Sequence, residues 1–317
     1  MHRRTFLHSC SALALTSLMP ARAWAVARTP PKFSLKYAPH PGTFKHLAGN
    51  DYLDQVRFAA DQGFTAWEDN GVKNQTPEMQ EKIGAELTRL GMTMGVFVAY
   101  GSFDRPTFGR KDAATWDGIV QTVTDSIAVA KRVRATWMTV VPGSVDQQHK
   151  DEPKWNQYGG PRLAEGYQFA NAVELLRRLS AVLEPHKLVM VLEPLNWHSN
   201  HGGVFLRDSD QAYAVCKAVN SPACKILFDL YHQQISEGNL IPNLNACWDE
   251  IAYVQSGDNP GRKEPGTGEI NYRNVFQHLA KKGYQGVIGM EHGNAKPGAE
   301  GEQAVIDAYR VADAFAR

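Results

Sequence analysis

Four short apolar runs in the second half of the chain each end on a residue with a hard oxygen donor. Leu188-Val189-Met190-Val191-Leu192 ends on Glu193, Ile226-Leu227-Phe228 on Asp229, Ile251-Ala252-Tyr253-Val254 on Gln255 and Val287-Ile288-Gly289-Met290 on Glu291. A hard divalent cation such as Mg2+ or Mn2+ takes oxygen ligands, whereas zinc sites usually carry histidine or cysteine. Three carboxylates and the Gln255 amide oxygen around a dication hold the ion and leave one carboxylate basic enough to move a proton. For any one of the four, a salt bridge or a helix cap at a strand end is the plainer reading. All four together favour one divalent ion, because buried carboxylates are costly and only cations relieve them.

The elements that must position these residues follow from their spacing. The four are separated by 36, 26 and 36 residues, each enough for a strand, a crossover helix and two loops. Short continuous apolar runs read as parallel strands buried on both faces. Eight are expected: Phe33 to Pro39, Phe64 to Glu68, Thr93 to Ala99, Trp137 to Val141, Leu188 to Glu193, Lys225 to Asp229, Ile251 to Gln255 and Val287 to Glu291. Helical periodicity fills the gaps at Asp51 to Gln62, Pro77 to Leu90, Ala113 to Arg132, Ala170 to Leu183 and Tyr272 to Lys282. Gly63, Gly91 and Gly283 stand where left-handed helix caps belong. Eight alternating units predict a (β/α)8 TIM barrel, whose site lies at the carboxyl ends of its strands. A doubly wound sheet would need a glycine-rich first turn for a nucleotide, and none follows the first strand.

The chain has 317 residues, 43% hydrophobic and 21% charged, enough for one large core. Its net charge is +1, but Arg3, Arg4 and Arg22 lie in the first 25 residues, which hold no acid. The remainder carries 31 basic and 33 acidic residues without a basic run, which gives no reason to expect nucleic acid or a membrane as partner. Arg3-Arg4-Thr5-Phe6-Leu7, a weakly apolar stretch through Leu18 and Ala23-Trp24-Ala25 read as a twin-arginine signal peptide over 1–25. Residues 26–317 would then form the barrel in the periplasm; the plain alternative is a basic tail kept in the cytoplasm. Cys216, Cys224 and Cys247 are expected as buried free thiols. The polar stretch 143–161 follows the fourth strand and reads as a lid or substrate loop, or as a poorly ordered one.

Longer segments carry a resemblance. Val191-Leu192-Glu193-Pro194-Leu195-Asn196, Phe228-Asp229-Leu230-Tyr231-His232, Val254-Gln255-Ser256, Arg262-Lys263-Glu264-Pro265-Gly266-Thr267-Gly268-Glu269-Ile270-Asn271-Tyr272 and Gly283 to Glu291 resemble the hydroxypyruvate isomerases, within the xylose isomerase-like barrels. The resemblance is strong from Leu188 to Glu291 and general before that. It implies one Mn2+ or Mg2+ held by Glu193, Asp229, Gln255 and Glu291, with Glu193 and Glu291 as acid and base in an enediolate proton transfer. It also implies that His232 hydrogen-bonds a substrate oxygen and that Arg262 neutralises developing charge. Glu269 is expected to brace a loop.

Trp197 and His198 depart from the threonine and arginine usual in that family, and are expected on the substrate-covering loop, where tryptophan offers a stacking face. The expected activity is isomerisation of hydroxypyruvate to tartronate semialdehyde. The alternatives are an exported isomerase, epimerase or lyase of a larger keto sugar, which the Trp197 face would favour, and a non-catalytic sugar-binding barrel. A homo-oligomer is compatible with the sequence.

Overall fold

Four strands, at Val189–Leu192, Cys224–Asp229, Ile251–Gln255 and Val287–Gly289, follow the apolar runs that lead to Glu193, Asp229, Gln255 and Glu291. A computed structural model describes residues 31–146 and 163–315. Its strands are β1 (Lys36–Ala38), β2 (Ala66–Trp67), β3 (Thr93–Met94), β4 (Val98–Ser102), β5 (Trp137–Pro142), β6 (Val189–Leu192), β7 (Cys224–Asp229), β8 (Ile251–Gln255) and β9 (Val287–Gly289). All pairings are parallel, in the order β1-β9-β8-β7-β6-β5-β4 with β2-β3 as a separate pair. The two sheets join through Glu68 N–H donating to Pro39 O at 3.0 Å and Val98 N–H donating to Asn70 O at 3.3 Å. Eight staves thus close into the expected (β/α)8 barrel.

One expected strand, Thr93 to Ala99, is broken into β3 and β4. The break falls at Gly95, where a Cβ would lie 2.3 Å from the Tyr253 hydroxyl. The backbone there gives way to a side chain that fills the barrel interior, and β4 then runs on past Ala99 to Ser102.

The helices are α1 (Lys45–Ala48), α2 (Tyr52–Asp61), α3 (Pro77–Leu90), α4 (Ala113–Val133), α5 (Glu165–Leu183), α6 (Ser209–Val219), α7 (Leu230–Ser236), α8 (Leu240–Ala246), α9 (Tyr272–Lys281) and α10 (Gly298–Asp313). Their starts are written in the sequence: Asp51, Thr76, Asp112 and Asn271 each accept a backbone N–H three residues on. Gly63, Gly91 and Gly283 take positive φ values of 88°, 66° and 76°, as left-handed caps require.

Strand alternation sorts the core into two layers. Met190, Leu192, Ile226, Phe228, Val254, Ile288 and Met290 pack outward under the helices. Ala66, Val191, Leu227, Tyr253 and Val287 turn inward into the barrel. Two residues beyond each inward side chain lies Glu68, Glu193, Asp229, Gln255 or, at the end of β9, Gly289 followed by Glu291. The same period therefore aims the polar residues into the carboxyl-end mouth. Cys216, Cys224 and Cys247 are free and buried. The expected signal segment 1–25 and most of the 143–161 stretch fall outside the described residues.

Candidate active site

Asp229 ends β7 and begins α7, and its two oxygens divide the work. Oδ1 accepts the Tyr231 N–H at 2.7 Å, capping the helix, while Oδ2 lies 3.2 Å from the Arg262 guanidinium and 3.7 Å from His232 Nε2. Glu193 Oε1 is also 3.7 Å from His232 Nε2. Gln255 pairs in register with Asp229 on one side and with Gly289 on the other. Glu291 accepts from Arg262 at 2.6 Å and from Asn70 Nδ2 at 3.0 Å. The structure thus gathers Glu193, Asp229, His232, Arg262 and Glu291 into one contact network, with Gln255 on the adjoining strand positions.

The electrostatics of this mouth are those of crowded carboxyls with one nearby cation. Burial, then the charges of Glu291 and Asp229, raises the Glu193 carboxyl well above its ordinary value. Burial pushes Glu291 up to about 7, against the pull of Arg262. Burial, with the Glu291 charge, pushes Glu68 up to about 8. Arg262 loses solvation but is held above its usual value by Asp229, Glu291 and Glu193, and its guanidinium lies over the Tyr231 ring at 4.9 Å. Carboxyls raised above their ordinary range in one cleft are what acid–base work requires.

His232 is lowered to about 4, chiefly by burial, so its ring is neutral at ordinary pH. Its proton is located by its neighbour: Asn196 donates to Nδ1 with its backbone N–H at 3.3 Å, and its Nδ2 lies 2.7 Å from the same atom. A backbone N–H can only donate, so Nδ1 accepts and the ring hydrogen sits on Nε2. Nε2 is buried without a partner and faces the two carboxylates. Glu193, Asp229 and His232 place ligand atoms within 4.8 Å of one another, a grouping able to hold a metal on distance alone. The tautomer argues instead that His232 offers an N–H to a substrate oxygen.

The oxygen donors fit a hard ion. Glu193 Oε1 and Gln255 Oε1 are buried and have no hydrogen-bond partner, although burial of an unpaired acceptor is costly. Gln255 spends its Nε2 on Glu68 at 2.9 Å, which leaves the amide oxygen as its free end.

Trp197 and His198 are not brought to this cluster. The Trp197 indole donates to Val204 O at 3.0 Å, lies under Arg207 and lines a separate cavity of about 490 Å³ with Phe169 and Phe205; His198 is exposed. His201, from the same loop, comes closer: its ring lies 5.4 Å from that of His232 and stacks on Phe103 at 5.1 Å. Glu269 does brace its loop, accepting from Asn259 at 2.6 Å, while Asp258 accepts the N–H groups of Gly266, Gly268 and Ile270.

Glu68 and Asn70 complete the mouth and are absent from the constellation read in the sequence. Their signal was present, since the run Phe64 to Trp67 also ends on a carboxylate, but Thr65 dilutes it. With His40, Pro41, Asp69, Gly71 and Glu291 they line a cavity of about 250 Å³. A larger cavity of about 1000 Å³ beside Phe103, Arg105 and Lys111 touches none of the carboxylates, so chemistry, not size, identifies the site.

A family model described as xylose isomerase-like TIM barrel matches residues 56–312. The chain is 36% identical over 143 residues to a hydroxypyruvate isomerase of Escherichia coli, covering 44% of this chain and 54% of that one. It is 36% identical over 105 residues to a 2-oxo-tetronate isomerase of Cupriavidus necator, covering 33% of this chain and 40% of that one. The matched stretch thus spans about half the length of these curated relatives, or less. Among solved structures, 3-keto-D-glucoside 4-epimerase from Escherichia coli superposes with a TM-score of 0.68 at 21% identity, over 88% of this chain and 98% of that one.

Proposed function

Because the chain belongs to the xylose isomerase-like TIM barrel family, we propose that it is a metal-dependent isomerase of short 2-oxo acids that carry a hydroxyl beside the carbonyl, hydroxypyruvate first among them. The observation that carries this reading is the pair Glu193 and Glu291, two buried or half-buried carboxyls raised above their ordinary value at the ends of the strands that flank those of Asp229 and Gln255. A sugar-binding barrel without chemistry would gain nothing from two such groups and would bear their cost.

Glu193, Asp229, Gln255 and Glu291 would hold one divalent ion, Mn2+ or Mg2+, through oxygen. When bound, that ion polarises the carbonyl and offsets the charge that builds on the neighbouring oxygens. One glutamate of the pair removes a proton from the hydroxyl-bearing carbon, and the other delivers one to the former carbonyl carbon. The C–H electron pair forms a carbon–carbon double bond and then the new C–H bond at the former carbonyl carbon, while the hydroxyl proton passes to the former carbonyl oxygen, so no oxidant is needed. His232 donates its Nε2–H to a substrate oxygen, and Arg262 stands ready for negative charge at the Glu291 side. The names of the two relatives, one acting on a three-carbon and one on a four-carbon acid, support the same class.

Residues 1–25 support export through the twin-arginine route and a periplasmic site of action for the mature protein. The proposed activity is tested by incubating Mn2+-loaded protein with hydroxypyruvate in D2O and following the products by NMR. Tartronate semialdehyde with deuterium at the new C–H is expected, at a rate that EDTA abolishes. Protein that carries no Mn or Mg and leaves the substrate unchanged would refute it.

A further inference from the structure

The Gln255 amide could face the carboxylate cluster with either end, and only the oxygen end can bind a cation. We propose that Glu68 is a positioning residue that fixes this choice. It accepts the Gln255 Nε2–H on Oε1 at 2.9 Å, and because an NH2 group must point at an acceptor, Gln255 Oε1 is turned the other way. That oxygen is buried and unpartnered, an arrangement that is costly unless something cationic is to meet it.

Glu68 is itself held in place. Tyr253 donates its hydroxyl to Oε2 at 2.6 Å, and the Tyr253 ring packs edge-on against Trp137 at 5.8 Å. Gly289 clears the space the carboxyl occupies, since a Cβ there would lie 2.0 Å from Oε2. Gly95 does the same for the Tyr253 hydroxyl, at 2.3 Å. The end of β9 and the break between β3 and β4 therefore both omit a side chain so that the brace can fit. Both the carboxylate and the carboxylic acid present an acceptor to Gln255, so the device does not depend on the charge of Glu68. Outer partners that orient ligands in this way typically change metal affinity 10- to 100-fold when removed.

This inference rests on the metal reading of the site, and its test separates the two. Mn2+ alone is titrated into metal-free full-length protein, with free Mn2+ followed by EPR. Glu68→Met, which keeps the volume and loses the acceptor, is expected to bind about 10- to 100-fold more weakly. Glu68→Gln can offer its own amide oxygen to Gln255 and its NH2 to the Tyr253 oxygen, and should stay within about threefold of wild type. In a Gln255→Ala background Glu68→Met should cost no further affinity, because the partner it acts through is gone. Should Glu68→Met fail to fold, Glu68→Asp withdraws the acceptor by one methylene and takes its place with the same expectation. Wild-type affinity in Glu68→Met, equal losses in the Met and Gln variants, or a further loss in the Gln255→Ala background would each overturn the proposal. Wild-type protein that takes up no Mn2+ would overturn it together with the metal reading.

Discussion

The crowded carboxyls should make the metal-free protein less stable as pH rises through neutrality. Glu68 and Glu291, pushed up by burial to about 8 and about 7, hold protons in the folded chain that the unfolded chain has released above its ordinary carboxyl range near 4.5. The folded state then binds more protons, so stability falls with pH, by about 1.4 kcal/mol per unit for each such group until its folded value is passed. Two buried histidines act in the opposite sense. His232 and His292, lowered by burial to about 4 and about 3, stay neutral in the fold, while the unfolded chain takes up protons below about 6.5. Between about pH 4.5 and 6.5 the histidines therefore offset the glutamates, and only above 6.5 do the glutamates act alone. From pH 6.5 to 8 Glu68 contributes a loss of about 2 kcal/mol and Glu291 a smaller one, with Glu193 adding in the same direction. For a chain of this size that is a fall in Tm on the order of 5 °C. Scanning calorimetry in EDTA across this pH range measures it, and Mn2+ should flatten the profile by favouring the ionised carboxyls. A Tm in EDTA that is level or rises from pH 6.5 to 8 would refute the electrostatic account of the site.

Glu193→Gln and Glu291→Gln should each lower kcat by about 10²- to 10⁴-fold, measured on hydroxypyruvate with saturating Mn2+; a near-normal rate in either would place the chemistry elsewhere. Asp229→Asn keeps the cap of α7 and should respond in part to excess Mn2+, so that its loss appears in the metal concentration needed rather than in the rate at saturation. Trp197→Ala should change kcat/KM on hydroxypyruvate by less than about threefold, since the indole lines the cavity of about 490 Å³ and touches no carboxylate of the site; a tenfold loss in steady-state kinetics would show that its loop closes over the substrate. Replacing Arg3 and Arg4 with lysine should keep the precursor inside the cell, which fractionation and blotting would reveal, and unchanged export would remove the twin-arginine reading.

The barrel and its inward-pointing donors were legible because they depend on a period of two, which apolar runs display directly. Glu193, Asp229, Gln255 and Glu291 each follow such a run, and each arrives at the mouth. Four of the five expected helix starts fall within a residue of those observed, where Asp51, Thr76, Asp112 and Asn271 cap them, whereas α5, without a side-chain cap, begins at Glu165, five residues before the expected Ala170. What could not be read depends on contacts between distant segments. The break at Gly95 is set by a tyrosine more than 150 residues away, and the Nε2 hydrogen of His232 by Asn196 on another strand's loop. Trp197 follows Glu193 by four residues, yet the turn after Pro194 carries the indole to Val204 and Arg207, and proximity in sequence misleads there. Glu68 shows a weaker form of a signal that the other four show plainly.

The two oxygens of Asp229 answer to different masters. One terminates a strand's chemistry and the other begins a seven-residue helix, too short to persist in water without its cap and its packing. His232 rides on that helix, one turn in, so the residue that would grip the ion also sets the pose of the residue that would meet the substrate. A change at position 229 is therefore read twice, once as a ligand and once as a hinge pin. Asparagine preserves the second function and serine shortens both, whereas alanine removes both together. Comparing these three side chains would apportion the damage between gripping and aiming, a distinction that a single substitution at this corner of the barrel leaves blurred.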